Sequence, residues 1–234
     1  MFMTVYLFIM TSLAIIFVTP FGIVSFFLQW FGLKKPMSYV SYRIAQFWAL
    51  SVKFFCRCPI EVRGKENIPK KGGVCFVSNH ESIFDIVLVL SYIGRPFGFI
   101  AKKELMWVPL LNLWIYLIGG LFIDRNNARK AFKTINEGIR RLKKGGSMLI
   151  FPEGHRSTDG KLLPFRAGAL KLATQAEVPI IPISIRNSGS IYEKTGRYQR
   201  ASMRVVFGKP ISSTELKKQE LADYTQQVVA DGLK

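Results

Sequence analysis

The chain has 234 residues, 49% of them hydrophobic, and carries 33 lysines and arginines against 15 aspartates and glutamates, a formal net charge of +18. This length fits one α/β domain with a small appendage, and three cysteines are too few for a disulfide framework, so we expect reduced thiols. The basic excess fits nucleic acid, an anionic membrane with anionic substrates, or a solvated basic surface. No zinc-finger spacing, RNP-like run or recognition-helix pattern is present, which argues against a nucleic-acid partner.

The amino-terminal segment is uncharged over its first 33 residues, and residues 5–31 are almost wholly apolar. At about 1.5 Å per residue it is long enough to cross a hydrocarbon core of about 30 Å. Alternatively, a bend at Pro20 and Gly22 would keep it in one leaflet. No basic stretch precedes it and no cleavage site is obvious, so we expect a retained anchor. Lys34 and Lys35 follow, which predicts an inner or cytoplasmic membrane protein with the remaining chain on the cytoplasmic side.

A second helical pattern covers residues 36–57. Basic residues lie elsewhere around this helix. Its apolar residues recur at helical spacing: Val40, Ile44, Phe47, Trp48 and Phe55. Aromatic residues opposite basic ones favour an amphipathic helix at the membrane surface. The alternative is a helix packed on the globular part of the chain.

The rest of the chain alternates predicted strands with predicted helices. We expect strands at residues 60–63, 74–77, 97–101, 121–123, 147–151, 180–185 and 203–207. We expect helices after the second strand, at residues 127–144 and 168–175, and from Thr214 onward. The very apolar residues 105–118 fit either buried core or a second membrane-facing surface. The alternation predicts an α/β fold with a mostly parallel central sheet flanked by helices, preceded by a membrane-associated helical segment.

The strongest chemical signal lies in residues 74–85, VCFVSNHESIFD, where a predicted buried strand ends near His80 and Asp85 follows five residues later. Residues five apart are rotated by about 140° on a continuous helix, so these two side chains meet only if the chain turns between them. Asp85 would then orient the imidazole and leave its other nitrogen free as a base. The alternative is that Asp85 completes a capping box with Ser82 and His80 is an ordinary loop histidine.

Polar clusters follow two further predicted strands, at Asp124 and Arg125 and at residues 153–156. More cations lie near strand ends: Lys102, Lys103, Lys161 and Arg166. If the strands are parallel these ends face one crevice, and arginine's planar fork suits phosphate. Each cation alone fits a surface charge, but their repeated placement at strand ends predicts a joint anion site. Gly154 would let backbone N–H groups approach a ligand closely.

Several motifs of other chemistries are missing from the sequence. It contains no G-x-S-x-G elbow, P-loop, H-E-x-x-H or C-x-x-C. Serine hydrolysis of the α/β type, nucleotide hydrolysis and zinc catalysis therefore lack support, and we expect neither a metal nor a resident cofactor.

Four short blocks resemble, in the same order, those of the glycerolipid acyltransferases, the 1-acylglycerol-3-phosphate acyltransferase family. They are NHESIFD, GGLFIDR, FPEGHRS and VPIIPI, within residues 79–183. The resemblance implies membrane-anchoring helices in residues 1–58 and an acyltransferase domain in residues 59–234. It implies acyl transfer from acyl-CoA or acyl-carrier protein to the sn-2 hydroxyl of lysophosphatidic acid, giving phosphatidic acid in phospholipid biosynthesis at the bilayer. The alternatives are another acceptor, such as glycerol-3-phosphate or a lyso-amino-lipid, and a non-catalytic membrane lipid-binding protein.

The same resemblance implies a role for each matching residue. It makes His80 the general base, Asp85 its orienting partner and Arg125 the ligand of the acceptor phosphate. The remaining implied substrate-binding residues are Glu153, Gly154, Arg156 and Lys102, with Pro182 on the acyl-donor side.

The chain departs from the family pattern at two places, one inside the third block and one after Pro164-Phe165. His155 stands where threonine is more usual, and Arg166-Ala167 stands where a basic pair is often found. Both departures concern the acceptor head group and leave the acyl-transfer chemistry unchanged.

Overall fold

The computed structural model describes residues 2–157 and 159–234. In these ranges the strands are β1 Ile60–Arg63, β2 Val74–Ser78, β3 Gly98–Lys102, β4 Leu121–Ile123, β5 Ser147–Ile150, β6 Ile180–Arg186 and β7 Met203–Phe207. The α-helices are α1 Phe2–Trp30, α2 Lys34–Cys56, α3 Phe84–Tyr92, α4 Leu111–Leu117, α5 Ala128–Lys143, α6 Lys171–Ala176 and α7 Lys218–Leu233. The predicted strands are confirmed to within one or two residues.

One sheet contains all seven described strands, in the order β1-β7-β6-β2-β5-β3-β4. Every neighbouring pair is parallel except β6 and β7, which are antiparallel. The mostly parallel α/β fold is therefore confirmed. Because β2, β5, β3 and β4 all run in the same direction, their carboxyl ends meet at one edge, where open α/β sheets bind ligands.

The sheet is buried on both faces, and side chains of β2 alternate between the two cores as a pleated strand requires. Val74 and Phe76 join a core with residues of α1 to α4. Cys75 and Val77 join the opposite core with residues of α5 to α7. A central parallel strand covered on both sides needs an unbroken apolar sequence, and this explains the run that precedes His80.

The first helix continues through Pro20, so the chain does not leave the helical conformation there. Proline has no N–H to donate to the carbonyl oxygen one turn earlier, so one helical hydrogen bond is missing there. Packing against α2 and α4 holds the helix together. Gly22 lies against the ring of Trp114, where an added Cβ would come within 3.0 Å, so glycine permits this contact. By length and composition α1 suits a membrane-crossing helix, although core helices and signal sequences share these properties.

For the helix at residues 36–57 and for the apolar stretch after β3, the sequence left open whether the segment packs on the domain or faces a membrane. In the structure each segment has both a buried and an exposed side. In α2, Tyr42 and Ala49 are buried in the core that includes α1 and α3, whereas Phe47 and Phe54 are exposed. In the stretch after β3, Trp114 of α4 is buried, but Trp107 in the preceding 3₁₀ turn is 86% exposed. These segments are therefore packed on the domain and also present aromatic side chains outward.

Candidate active site

The imidazole of His80 and the carboxylate of Asp85 meet at the carboxyl end of β2. The strand ends at Ser78, the chain turns, and α3 begins at Phe84. Nδ1 of His80 lies 2.7 Å from Oδ2 of Asp85. The turn that the five-residue spacing required is thus present.

Asp85 is fully buried and receives donors on both oxygens. Its Oδ2 accepts hydrogen bonds from the backbone N–H groups of Glu81 at 2.8 Å and Ser82 at 3.0 Å. Its Oδ1 accepts one from the hydroxyl of Ser188 at 2.5 Å. Because the carboxylate offers acceptors to the ring, Nδ1 of His80 is the donor and Nε2 is the basic nitrogen.

The capping box predicted for Ser82 and Asp85 forms only in part, because the N-cap of α3 is Ile83 and has no side-chain cap bond. The bond from the Ser82 N–H to Asp85 is the one expected of a capping box, and the Ser82 hydroxyl accepts from the N–H of Phe84 at 3.0 Å. The carboxylate also lies at the amino end of α3, where the helix dipole favours negative charge. The Asp85 carboxylate therefore binds both the turn before α3 and the ring of His80.

The ring of His80 is fixed on a second side by Phe151, which follows β5. The two rings stack with their centroids 4.0 Å apart and their planes 18° from parallel. The His80 side chain is 19% exposed, and Nε2 has no hydrogen-bond partner among residues 2–157 and 159–234. An incoming hydroxyl group can therefore reach this nitrogen.

Glu153 supports the His80 loop and does not face the crevice, which differs from its expected contact with the acceptor. Its side chain is 2% exposed. One oxygen accepts from the backbone N–H of His80 at 2.7 Å and the other from the N–H of Leu163 at 3.1 Å. Burial raises the pKa of Glu153 to about 7. Both oxygens are thus occupied by backbone groups, leaving neither directed at a ligand.

Arg125 and the Gly154 turn come together as predicted from their strand ends. A guanidinium N–H of Arg125 donates a hydrogen bond to the carbonyl oxygen of Gly154. Gly154 has φ +82°, and an added Cβ would lie 3.3 Å from the guanidinium carbon of Arg166. Only glycine adopts this conformation readily, and its lack of a side chain brings two arginines close to one turn. Both are exposed, as a binding site for an anionic group requires.

Of the other predicted binding residues, Arg156 and Lys102 are exposed and paired with glutamates, whereas Pro182 is buried in the sheet. Arg156 is exposed and lies 3.4 Å from a carboxylate oxygen of Glu193. Lys102, at the end of β3, pairs with Glu104 at 3.6 Å. Pro182 is buried within β6, opposite Val77 of β2. Its block therefore builds the sheet that carries the site.

Three polar residues near the pair were not predicted from the sequence: Glu81, Ser188 and Glu193. Burial and the charge of Asp85 raise the pKa of Glu81 to about 7. Ser188 and Glu193 follow β6, and their contacts with residues 82–85 span more than a hundred positions. No local spacing in the sequence predicts such distant contacts. Glu81, in contrast, lies inside the NHESIFD motif, so its closeness to the pair could have been predicted.

An apolar cavity of about 780 Å³ lies among α1, α2, α3 and α4. Its lining includes Val18 and Ala45 from α1 and α2, and Trp114 from α4. It also includes Ile83 and Phe84, which directly follow the Ser82 turn of the His80 motif. Cavities of roughly 300–1,000 Å³ hold small-molecule ligands in proteins, and the apolar lining suits a hydrocarbon chain.

The chain is similar in sequence to known acyltransferases. The acyltransferase family model matches residues 59–186. A 1-acyl-sn-glycerol-3-phosphate acyltransferase of Saccharomyces cerevisiae is 34% identical over 181 residues, which cover 76% of this chain and 59% of the relative. The enzyme of the same name from Salmonella typhimurium is 37% identical over 149 residues, covering 63% and 58%. The chain thus spans somewhat more than half the length of these curated relatives.

A solved structure resembles the whole fold. The crystal structure of the 1-acyl-sn-glycerophosphate acyltransferase from Thermotoga maritima matches with a TM-score of 0.87 and 28% identity, over 99% of this chain and 93% of that one. The similarity includes the two amino-terminal helices, which lie outside the residues of the family match. From the sheet, the site and these similarities we conclude that the chain belongs to the acyltransferase family.

Proposed function

We propose that this protein transfers a fatty acyl group from acyl-CoA or acyl-carrier protein to the sn-2 hydroxyl of 1-acyl-glycerol-3-phosphate, giving phosphatidic acid. The observation that carries the proposal is the 2.7 Å contact between His80 Nδ1 and Asp85 Oδ2, which leaves Nε2 as an accessible base. The relatives from yeast and Salmonella are named for this acceptor, which supports its choice.

In the proposed reaction, Nε2 of His80 takes the proton of the acceptor hydroxyl while Asp85 stabilises the imidazolium that forms. The hydroxyl oxygen attacks the thioester carbonyl carbon, the C–S bond breaks, and the thiolate leaves and recovers the proton from His80. The products are an ester and a free thiol. Base catalysis of this kind contributes roughly 10²–10⁴-fold. No covalent enzyme intermediate and no resident cofactor are needed for these steps.

The acceptor phosphate is assigned to the cationic turn formed by Arg125, Gly154 and Arg166. Arg125, just after β4, and Arg166, just before the 3₁₀ turn at Ala167–Leu170, bring two exposed guanidinium groups to one glycine. Bidentate arginine contacts suit phosphate better than a point charge does. Lys102, at the end of β3, and Arg156, after the neighbouring strand β5, each lie beside a glutamate.

The apolar cavity is assigned to an acyl chain of the substrates. Ile83 and Phe84 line it and lie three and four residues after His80, so a chain in the cavity can present its polar end near the imidazole. Burial of each methylene contributes about 0.8 kcal/mol, which favours long-chain substrates over soluble ones. An acceptor without a chain, such as glycerol-3-phosphate, would leave this cavity without an occupant from the acceptor side.

The amino-terminal helices are assigned to membrane attachment, with residues 59–234 as the catalytic part. Large apolar side chains along α1 remain exposed after it has packed on α2, including Phe8, Phe17 and Phe27. A soluble surface rarely carries so many together, whereas a bilayer would cover them. Lys34 begins α2 shortly after α1 ends at Trp30, which supports a cytoplasmic position for the site at the inner or cytoplasmic membrane.

An acceptor-competition assay tests the proposal. Purified protein in detergent is given palmitoyl-CoA or palmitoyl-acyl-carrier protein, with lysophosphatidic acid, glycerol-3-phosphate and a lyso-amino-lipid present together. We expect phosphatidic acid to be the main product by mass, with at least one donor. If another acceptor carries the new acyl group, the assigned acceptor is wrong; if no lipid is acylated by folded protein, the enzymatic assignment is wrong.

A further inference from the structure

The turn and loop after β6 hold two polar side chains directly against the His80 motif. A 3₁₀ turn at Ser188–Ser190 follows Asn187, which has φ +67°. This segment lies beyond residue 186, where the family match ends. Its contacts with the motif are made by Ser188 and Glu193.

Ser188 is fully buried and its hydroxyl donates to Oδ1 of Asp85 at 2.5 Å. The other Asp85 oxygen already receives His80 Nδ1 and two backbone N–H groups. The hydrogen bond from Ser188 therefore fixes the rotation of the Asp85 carboxylate about its Cβ–Cγ bond. If the carboxylate turned, Oδ2 would leave the plane of the imidazole and the ring would lose its orientation.

Glu193 fixes the start of α3 from the other side. Its Oε2 accepts from the Ser82 hydroxyl at 2.7 Å, and its Oε1 accepts from the Ile83 N–H at 2.8 Å. Oε1 also lies 3.4 Å from a guanidinium nitrogen of Arg156. The first N–H groups of a helix have no intrahelical partner, so a carboxylate here both satisfies one of them and interacts favourably with the helix dipole.

We propose that Ser188 and Glu193 are positioning residues for acyl transfer: Ser188 holds the Asp85 carboxylate and Glu193 holds the turn between His80 and α3. The inference rests on the proposed function, because it concerns the orientation of the base in that reaction. Neither residue touches the reacting atoms. Each acts through Asp85 or through the Ser82 turn, and each ties the catalytic motif to the chain that follows β6.

The test compares Ser188→Ala and the nearly isosteric Ser188→Cys with Ser190→Ala. Ser190 lies in the same turn, but its hydroxyl bonds Asn187 and not Asp85. Turnover with lysophosphatidic acid and palmitoyl-CoA is measured for each protein, together with its Tm. Removing a partner that orients a functional side chain commonly costs roughly 10–100-fold, so we expect kcat to fall by that factor in both Ser188 variants. We expect KM for both substrates to remain within about twofold, since no ground-state contact is lost.

A double-variant cycle separates positioning from general stability. In an Asp85→Ala background, Ser188→Ala should lower kcat no further, because its effect passes through the missing carboxylate. Glu193→Gln should likewise lower kcat, whereas Glu215→Gln, at an exposed site, should not. The inference is overturned if Ser188→Ala and Ser188→Cys keep the kcat of Ser190→Ala, or if their losses persist undiminished in the Asp85→Ala background. Inactive wild-type protein would instead overturn the proposed function itself.

Discussion

Arg125 donates a hydrogen bond to the carbonyl oxygen of Gly154, and this bond joins the ends of β4 and β5, which are separated in the sheet by β3. The contact explains how an arginine that follows the outer strand β4 reaches the carboxyl ends of the strands beside β2. It also places a cation within reach of any anionic group bound beside the Gly154 turn.

Arg125→Ala should weaken acceptor binding. A hydrogen bond to a charged group contributes about 1.5–3 kcal/mol, so we expect the KM for lysophosphatidic acid to rise roughly 10–100-fold, with little change in the KM for the donor. Arg140→Ala is the matched control, because Arg140 lies in the last turn of α5 and pairs with Glu137. An unchanged lysolipid KM in the Arg125 variant would contradict its phosphate role.

Asp85→Asn should reduce kcat while leaving both KM values nearly unchanged. The amide can present an N–H to the imidazole and so select the wrong tautomer. Replacing the carboxylate of a His–Asp pair in this way lowers turnover by roughly 10⁴-fold in a serine protease. Steady-state kinetics at a temperature below the Tm of the variant measure this effect. A folded Asp85→Asn protein with kcat within tenfold of wild type would show that the pair does not act as assigned.

Glu81 makes the stability of the protein depend on pH in a defined direction. Its pKa is raised by burial and by the charge of Asp85 from 4.5 to about 7. Between these values the folded state holds a proton that the unfolded state has lost, so this contribution decreases folded-state stability as pH rises. Glu81→Gln does not titrate, and wild type should lose up to about 3 kcal/mol relative to it over this range.

The Glu81 effect is measured as the difference in Tm between wild type and Glu81→Gln in detergent at pH 5 and at pH 8. The Tm of wild type should fall relative to the variant at the higher pH. Glu215→Gln, at an exposed position, controls for the loss of one carboxylate. Tm values of wild type and Glu81→Gln that shift in parallel over this interval would rule out the raised pKa.

Ala45→Phe should shorten the acyl chain that the cavity accepts. Ala45 is buried in α2 and lines the cavity, so a phenyl ring there occupies space otherwise open to hydrocarbon. Excluding two methylenes costs about 1.6 kcal/mol, roughly a tenfold loss in kcat/KM. The ratio of kcat/KM for palmitoyl over octanoyl substrates should fall by this factor. Leu50→Phe, which enlarges an exposed residue of α2 outside the cavity lining, should leave the ratio unchanged.

Features encoded by local patterns were predictable from the sequence. The strands follow short apolar runs with β-branched residues, and their alternation with helices gave the parallel sheet. The distance of five residues from His80 to Asp85 required the turn that the structure contains. The capping box was equally local but forms only in part, because the N-cap of α3 is Ile83 and the Ser82 hydroxyl accepts from the N–H of Phe84. Asp85 contacts both the Ser82 N–H and the ring of His80.

Features that depend on tertiary packing were not predictable. Ser188 lies 103 residues after Asp85, and nothing near Ser188 in the sequence signals a carboxylate partner. Pro182 belongs to a recognisable block, yet its position is set by the register of β6 against β2. Glu153 was assigned to substrate binding from the resemblance of the third block, but its oxygens are taken by backbone N–H groups that only the folded loop brings near.

The central claim is that His80 is the base of an acyl transfer, and the two histidines of the chain allow a matched test of it. Wild type, His80→Ala and His155→Ala are compared for phosphatidic acid formation from lysophosphatidic acid and palmitoyl-CoA or palmitoyl-acyl-carrier protein, with the product identified by mass. We predict that His80→Ala remains folded and loses at least roughly 10²–10⁴-fold in rate, while His155→Ala keeps most of its activity. A folded His80→Ala protein that forms phosphatidic acid at the wild-type rate would contradict the account.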